Sequence, residues 1–105
     1  MNEQDFNTLA DAMLEEMEQA LDRCAADFDY ESKPGGVLEL EFADGSKIIV
    51  NRHSAAREIW IAARSGGFHF KFDEGRWIGT RDGTELMQSL ARCMSEQSGT
   101  KIKLD

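Results

Sequence analysis

Cysteine, proline and long apolar runs are all scarce in this chain, and each scarcity excludes something. The two cysteines, Cys24 and Cys93, are far apart, with no CxxC and no second pair. Neither a zinc knuckle nor a disulfide-stapled scaffold is therefore indicated, and both thiols are expected to be reduced. Each falls on the apolar face of a predicted helix, where a free cysteine behaves as a small buried hydrophobe. No apolar run approaches the roughly 18 residues of a membrane span. The N-terminus opens on Asn2, Glu3 and Asp5 instead of a basic segment, so no export or transit signal is expected and the expected location is cytoplasmic.

Bases are nearly missing from the first third. Residues 1–31 hold ten acids and one base, Arg23, whereas the remainder holds ten acids and eleven bases, so the whole net charge of −8 belongs to the N-terminal part. Such a lobe repels nucleic-acid backbones and anionic lipid, and it attracts cations or a basic protein surface. With 105 residues, 41% of them hydrophobic, the chain can bury one core, and a single domain over residues 1–105 is expected.

From residue 6 to residue 24 the apolar positions Phe6, Leu9, Ala10, Met13, Met17, Ala20, Leu21 and Cys24 recur at the three-four spacing of an amphipathic helix. At about 100° per residue, Asp11, Glu15, Glu18 and Asp22 share the opposite side as a ridge of carboxylates. The helix is expected to fade through Ala25 and Ala26 into an acidic loop, Asp27-Phe28-Asp29-Tyr30-Glu31, and to break at Pro34-Gly35-Gly36.

Period-two patterns then predict strands over 37–42, 47–51, 58–63, 68–72 and 76–80, joined by turns at Asp44-Gly45, Gly66-Gly67 and Asp73-Glu74-Gly75. If Ile59 and Ile61 point inward, Trp60 points out, together with Glu39, Glu41, His69 and Lys71. Asp82, Gly83 and Thr84 offer N-cap chemistry to a second helix, with Glu85 positioned to reach back and Leu86, Leu90, Cys93 and Met94 along one stripe. That helix is expected to end near Ser98-Gly99, with Ile102 and Leu104 packing back on the body. Helix, about five strands and helix make an α+β, two-layer α/β sandwich.

Three segments carry a resemblance: Gly45-Ser46-Lys47-Ile48-Ile49-Val50-Asn51-Arg52, Ile59-Trp60-Ile61-Ala62 and Gly66-Gly67-Phe68-His69-Phe70. Together with the acidic first helix and its Leu9-Ala10-Asp11, they make the chain resemble the frataxin/CyaY family over nearly its whole length. The resemblance implies both helices on one face of an antiparallel sheet of about five to six strands. It also implies weak, reversible binding of iron, as Fe2+ or Fe3+, and a role in iron–sulfur cluster assembly.

On that resemblance, Glu15, Glu18, Asp22, Asp27, Asp29 and Glu31 are the expected metal-binding set, and Asn51, Arg52 and Trp60 the expected partner-binding set. The implied partners are a cysteine desulfurase and the scaffold machinery it feeds. The protein itself is expected to be a monomer that metal can drive into oligomers. Gln19, Arg23, Ala25 and Ala26 interrupt what is a denser acidic run in some relatives, and His53 replaces a common glutamine.

Solvated carboxylates at helical spacing accept hard cations through water without forming a selective cage. His53 and His69 stand apart in sequence and are expected to be ordinary strand or surface histidines, and Trp77 is expected to be structural. No serine, cysteine or lysine nucleophile can be paired with a base from motif spacing, and no Glu-x-x-His occurs in either helix. The expected role is a non-enzymatic regulator or iron donor. The alternatives are a ferroxidase that oxidises iron on the ridge and an acidic protein-binding module in which metal binding is incidental.

Overall fold

In the computed structural model, residues 1–104 are described. Along the chain run α1 (Glu3–Arg23), β1 (Phe28–Lys33), β2 (Val37–Phe42), β3 (Lys47–His53), β4 (Glu58–Ala63), β5 (Gly66–Asp73), β6 (Arg76–Gly79) and α2 (Leu86–Ser98). The strands form one antiparallel meander in the order β1-β2-β3-β4-β5-β6. Both helices contribute to a single core with the inward side chains of the sheet, which leaves the other sheet face open. This is the expected two-layer α+β sandwich.

The first helix starts at Glu3, three residues before the apolar pattern begins, because the side chain of Asn2 caps it by accepting from the Asp5 amide at 2.7 Å. Its buried stripe is Phe6, Ala10, Leu14, Met17, Ala20 and Leu21. Leu14, four residues beyond Ala10, belongs to that stripe although the sequence pattern passed over it. Leu9, Met13 and Cys24 are only partly buried at its margin. Cys24 is the C-cap, not a helical residue, while Cys93 is fully buried in α2.

Three further expectations, all about the strands, are corrected. The segment taken as an acidic loop is strand β1: Phe28 and Tyr30 lie opposite Phe42 and Leu40, and the Phe28 and Phe42 rings are 6.0 Å apart. Two half-buried aromatics alternating with acids suffice for an edge strand. Gly66 and Gly67 open β5 instead of forming the turn, which Arg64 and Ser65 make. Strand β3 continues through Arg52 and His53.

At α2 the capping box is absent. Glu85 is itself the N-cap and makes no side-chain cap bond. Its backbone bridges to Ile78, so the helix cannot start earlier. Asp82 instead accepts from the Thr84 amide at 3.0 Å in the preceding turn, and that bond holds its carboxyl below the usual range. The far end is as expected: Gly99 terminates α2 with φ 74° and donates to Ser95 O. Ile102 packs on the core and donates to Ser95 Oγ at 2.8 Å.

Gln97 ties this helix to the sheet. It is buried, its Oε1 accepts from the Arg64 amide at 3.0 Å, and its Nε2 donates to Ser46 Oγ at 3.0 Å and to Lys47 O at 3.2 Å. Removing one side of a buried hydrogen bond leaves the other unsatisfied. Gln97→Ala is therefore expected to lower stability by about 1–3 kcal/mol, read as a lower urea midpoint with an unchanged m-value.

Candidate functional site

The carboxylates expected to act together are divided by strand β1. Glu15, Glu18 and Asp22 lie on α1, with Glu15 and Asp22 exposed and Glu18 half-buried, and Asp27 is exposed in the link to β1. Tyr30 turns toward α1 and donates its hydroxyl hydrogen to Asp22 Oδ1 at 2.5 Å. Because neighbouring strand residues alternate, Asp29 and Glu31 point to the open sheet face. There they stand across from Glu41 and Glu39. The expected six-residue set is thus two groups on either side of the sheet edge. Among the described residues, no three His, Cys, Asp or Glu side chains are placed to hold one ion.

Accepting the Tyr30 hydrogen bond, Asp22 pushes the phenol up to about 12, with help from burial and from the negative field of Glu18. The folded state therefore favours the protonated phenol. Its contribution to stability is complete below pH 10.0, the ordinary value, and is lost as pH rises toward about 12. Tyr30 is the only tyrosine, so an ultraviolet titration reads it directly. The midpoint is expected near 12 in the native protein and closer to 10.0 in Asp22→Asn.

A second constellation occupies the open face. Antiparallel register aligns Val37, Asn51, Trp60 and His69 in one row across β2 to β5. The Trp60 indole is covered on both sides by imidazoles. His53 stacks at 3.9 Å with an interplanar angle of 12°, and His69 at 4.3 Å with 9°. Trp60 Nε1 donates to Glu58 Oε1 at 2.7 Å. Glu58 also lies 3.4 Å from His69 Nδ1 and 3.8 Å from Lys71 Nζ, while His53 Nδ1 accepts from the Ala56 amide at 3.3 Å.

Sequence reading placed Trp60 and His69 outward but not together with His53, since only the β3–β4–β5 register brings the three rings into contact. Stacking and the Glu58 hydrogen bond thus hold the Trp60 ring, with its two faces covered by the imidazoles.

Arg52 is not on this face. Its neighbour Asn51 points out, so Arg52 points to the helix layer, where its Nε lies 3.0 Å from Asp11 Oδ1 on α1. It lies against Gly36, whose φ of +78° and closeness to the Arg52 side chain leave no room for a Cβ. Arg52 therefore couples α1 to the sheet. Ser54, which donates to Asn7 Oδ1 at 2.9 Å, adds a second tie at the same corner.

Comparison with known proteins agrees with this arrangement. Residues 1–100 match the frataxin-like domain family. The chain is 56% identical over 104 residues to a protein of Dechloromonas aromatica (strain RCB), with 99% of each chain covered. It is 45% identical over 107 residues to one of Ralstonia nicotianae, with 99% of this chain and 95% of the other covered. Both relatives bear the name iron-sulfur cluster assembly protein CyaY.

Among solved structures, frataxin from Psychromonas ingrahamii superposes with a TM-score of 0.90 at 30% identity, covering 100% of this chain and 99% of that one. Trimeric frataxin from the yeast Saccharomyces cerevisiae gives 0.57 at 27% identity, covering 91% and 78%. An acidic helix and edge strand, an open face centred on a clamped tryptophan, and these matches along the chain together make it a member of the frataxin-like family, of the bacterial CyaY type.

Proposed function

We propose that this chain serves iron–sulfur cluster assembly as an iron-binding adaptor that docks on a cysteine desulfurase and adjusts its activity, without turnover of its own. The observation that carries this reading is the concentration of exposed carboxylates on α1 and β1 beside an open sheet face with a preset aromatic anchor. The name borne by relatives of such high identity supports it.

Iron here is cargo. As a hard cation it accepts carboxylate oxygen, and side chains such as Glu15, Glu18 and Asp22 share it through water and exchange it readily. Loose ligation of this kind gives modest affinity and poor selectivity, which suits a carrier or sensor. The same carboxylates attract a basic partner surface, so a cation bound among them weakens that attraction. Iron level and desulfurase docking are thereby linked. No helix is long and apolar enough to cross a membrane among the described residues, and we place this activity in the cytoplasm.

Amide spectra of the labelled protein test the proposal, with ferrous iron titrated anaerobically and purified desulfurase added separately. Iron is expected to broaden residues 15–31 selectively. The desulfurase is expected to shift that region together with Asn51 and Trp60, and added iron is expected to weaken its binding. An enzyme indifferent to iron would remove the sensing link, and absence of both responses would remove the function.

A further inference from the structure

The two edges of the sheet differ. The β6 edge is partly closed by the bridge between Ile78 and Glu85. Strand β1, at the other edge, pairs with β2 alone. Among the described residues, no further backbone hydrogen bond ties residues 28–33 to another segment. In an antiparallel edge strand, alternate residues turn their N–H and C=O groups outward. Over the six residues of β1 this leaves a row of unpaired donors and acceptors, a template for another strand unless something blocks it.

The segment Phe28-Asp29-Tyr30-Glu31-Ser32-Lys33 contains neither proline nor glycine, so its guard is charge. On the open-face side are Asp29 and Glu31, and on the helix side are Asp22, bonded to Tyr30, and Glu18, whose field reaches it. The Glu31–Glu39 cross-strand pair is bridged by Lys33, at 3.9 and 3.1 Å.

The Asp29–Glu41 pair is different. These like charges are directly opposite each other. Lys47, across from Glu41 on β3, turns its amine to Glu39 at 3.9 Å instead, and no ion pair reaches Asp29, on the outer strand, among the described residues. Such a pair is unfavourable where it stands, and a cation arriving on the outer side of β1 would relieve it.

We propose that the β1 edge is a strand-addition site for an extended, lysine- or arginine-rich segment of a protein partner. The unpaired backbone supplies hydrogen bonds and register, and the carboxylates on both sides of the edge supply selection. A second copy of β1 would set acid against acid and is refused, whereas a basic strand neutralises Asp29 and Glu41 as it pairs. This deepens the docking reading above and rests on it for the basic character of the partner, but it specifies backbone pairing that a purely side-chain contact does not need.

The test uses the full chain and the peptide Lys-Val-Lys-Val-Lys-Val-Lys, with amide exchange followed residue by residue. Adding the peptide is expected to slow exchange of alternate β1 amides by about tenfold or more. The same peptide with its internal amide nitrogens methylated, its charges intact, is expected to bind at least about tenfold more weakly and to protect nothing, as loss of backbone pairing requires. Asp29→Lys, shown to be folded by its spectrum, is expected to weaken the parent peptide.

Equal binding of the methylated peptide, or shifts confined to α1 with β1 exchange unchanged, would overturn the strand-addition site while leaving side-chain docking on the acidic lobe intact. Equal binding of Glu-Val-Glu-Val-Glu-Val-Glu would overturn the charge selection. Failure of the docking reading itself shows elsewhere, as a desulfurase that does not bind the protein.

Discussion

Phe6→Ala is expected to lower the unfolding free energy by about 3–5 kcal/mol, the range for removing a fully buried aromatic side chain. Phe6 is completely inaccessible to solvent. Its ring meets Trp77 edge-on at 5.9 Å, and Trp77 meets Phe72 in the same manner at 5.3 Å. One aromatic chain thus joins the first turns of α1 to β5 and β6. The truncation removes apolar contact and also an edge-to-face pair, itself worth about 0.5–1.5 kcal/mol.

Against a total stability of about 5–15 kcal/mol for a small domain, such a loss takes about a fifth at the least and brings a marginal variant close to unfolding. Urea denaturation followed by fluorescence reads it, provided the m-value is unchanged. Leu9→Ala, at a partly buried position on the same helix, serves as the comparison and is expected to cost about 1 kcal/mol, the centre of the range for point substitutions. Equal losses at the two positions would mean that the N-terminal turns of α1 are not docked on Trp77 as described.

Periodicity made the core legible. The stripe of α1, the alternation of Leu38, Leu40 and Phe42, and the Leu86–Leu90–Cys93–Met94 stripe of α2 are all decided by which residues can face away from water, and all are buried except Leu9, Met13 and Cys24 at the margin of α1. Strand β1 was not legible for the opposite reason. It buries only half of two aromatics and is otherwise acidic, so its hydrogen bonds to β2, rather than its hydrophobicity, make it a strand. The helix start at α2 was missed because Glu85 is engaged by Ile78, a backbone bridge to the end of β6 that overrides local capping chemistry.

The candidate site was legible in composition and illegible in geometry. Acidic residues of the first third were expected at the surface and are exposed there except the half-buried Glu18, but their division into a helix group and a sheet group follows from β1 being a strand. Asn51 and Arg52 were assigned to one surface on the family resemblance, although adjacency in a strand means opposite faces. That rule, applied to the reading of β3, would have separated them. The His53–Trp60–His69 stack needed the register of three strands, which no local pattern encodes.

Trp60→Ala is expected to weaken binding of the desulfurase by about 2 kcal/mol or more, roughly 30-fold in Kd, the range of an interface hot spot. The indole is half-buried, clamped between two imidazoles and tethered to Glu58, so little side-chain freedom remains to be lost on docking. Its removal also frees His53 and His69 from their shared partner and loosens the surface around Asn51.

The change is expected mainly in the dissociation rate, while iron-dependent broadening of residues 15–31 stays as in the unaltered protein. Neutralising the helix with Glu18→Gln and Asp22→Asn has the complementary signature: slower association and a flatter dependence on salt, because exposed charges steer encounter more than they hold the complex. Surface plasmon resonance at two salt concentrations separates the arms. If Trp60→Ala leaves both rates unchanged, the open face is not the partner face, and docking belongs to the acidic helix and edge strand alone.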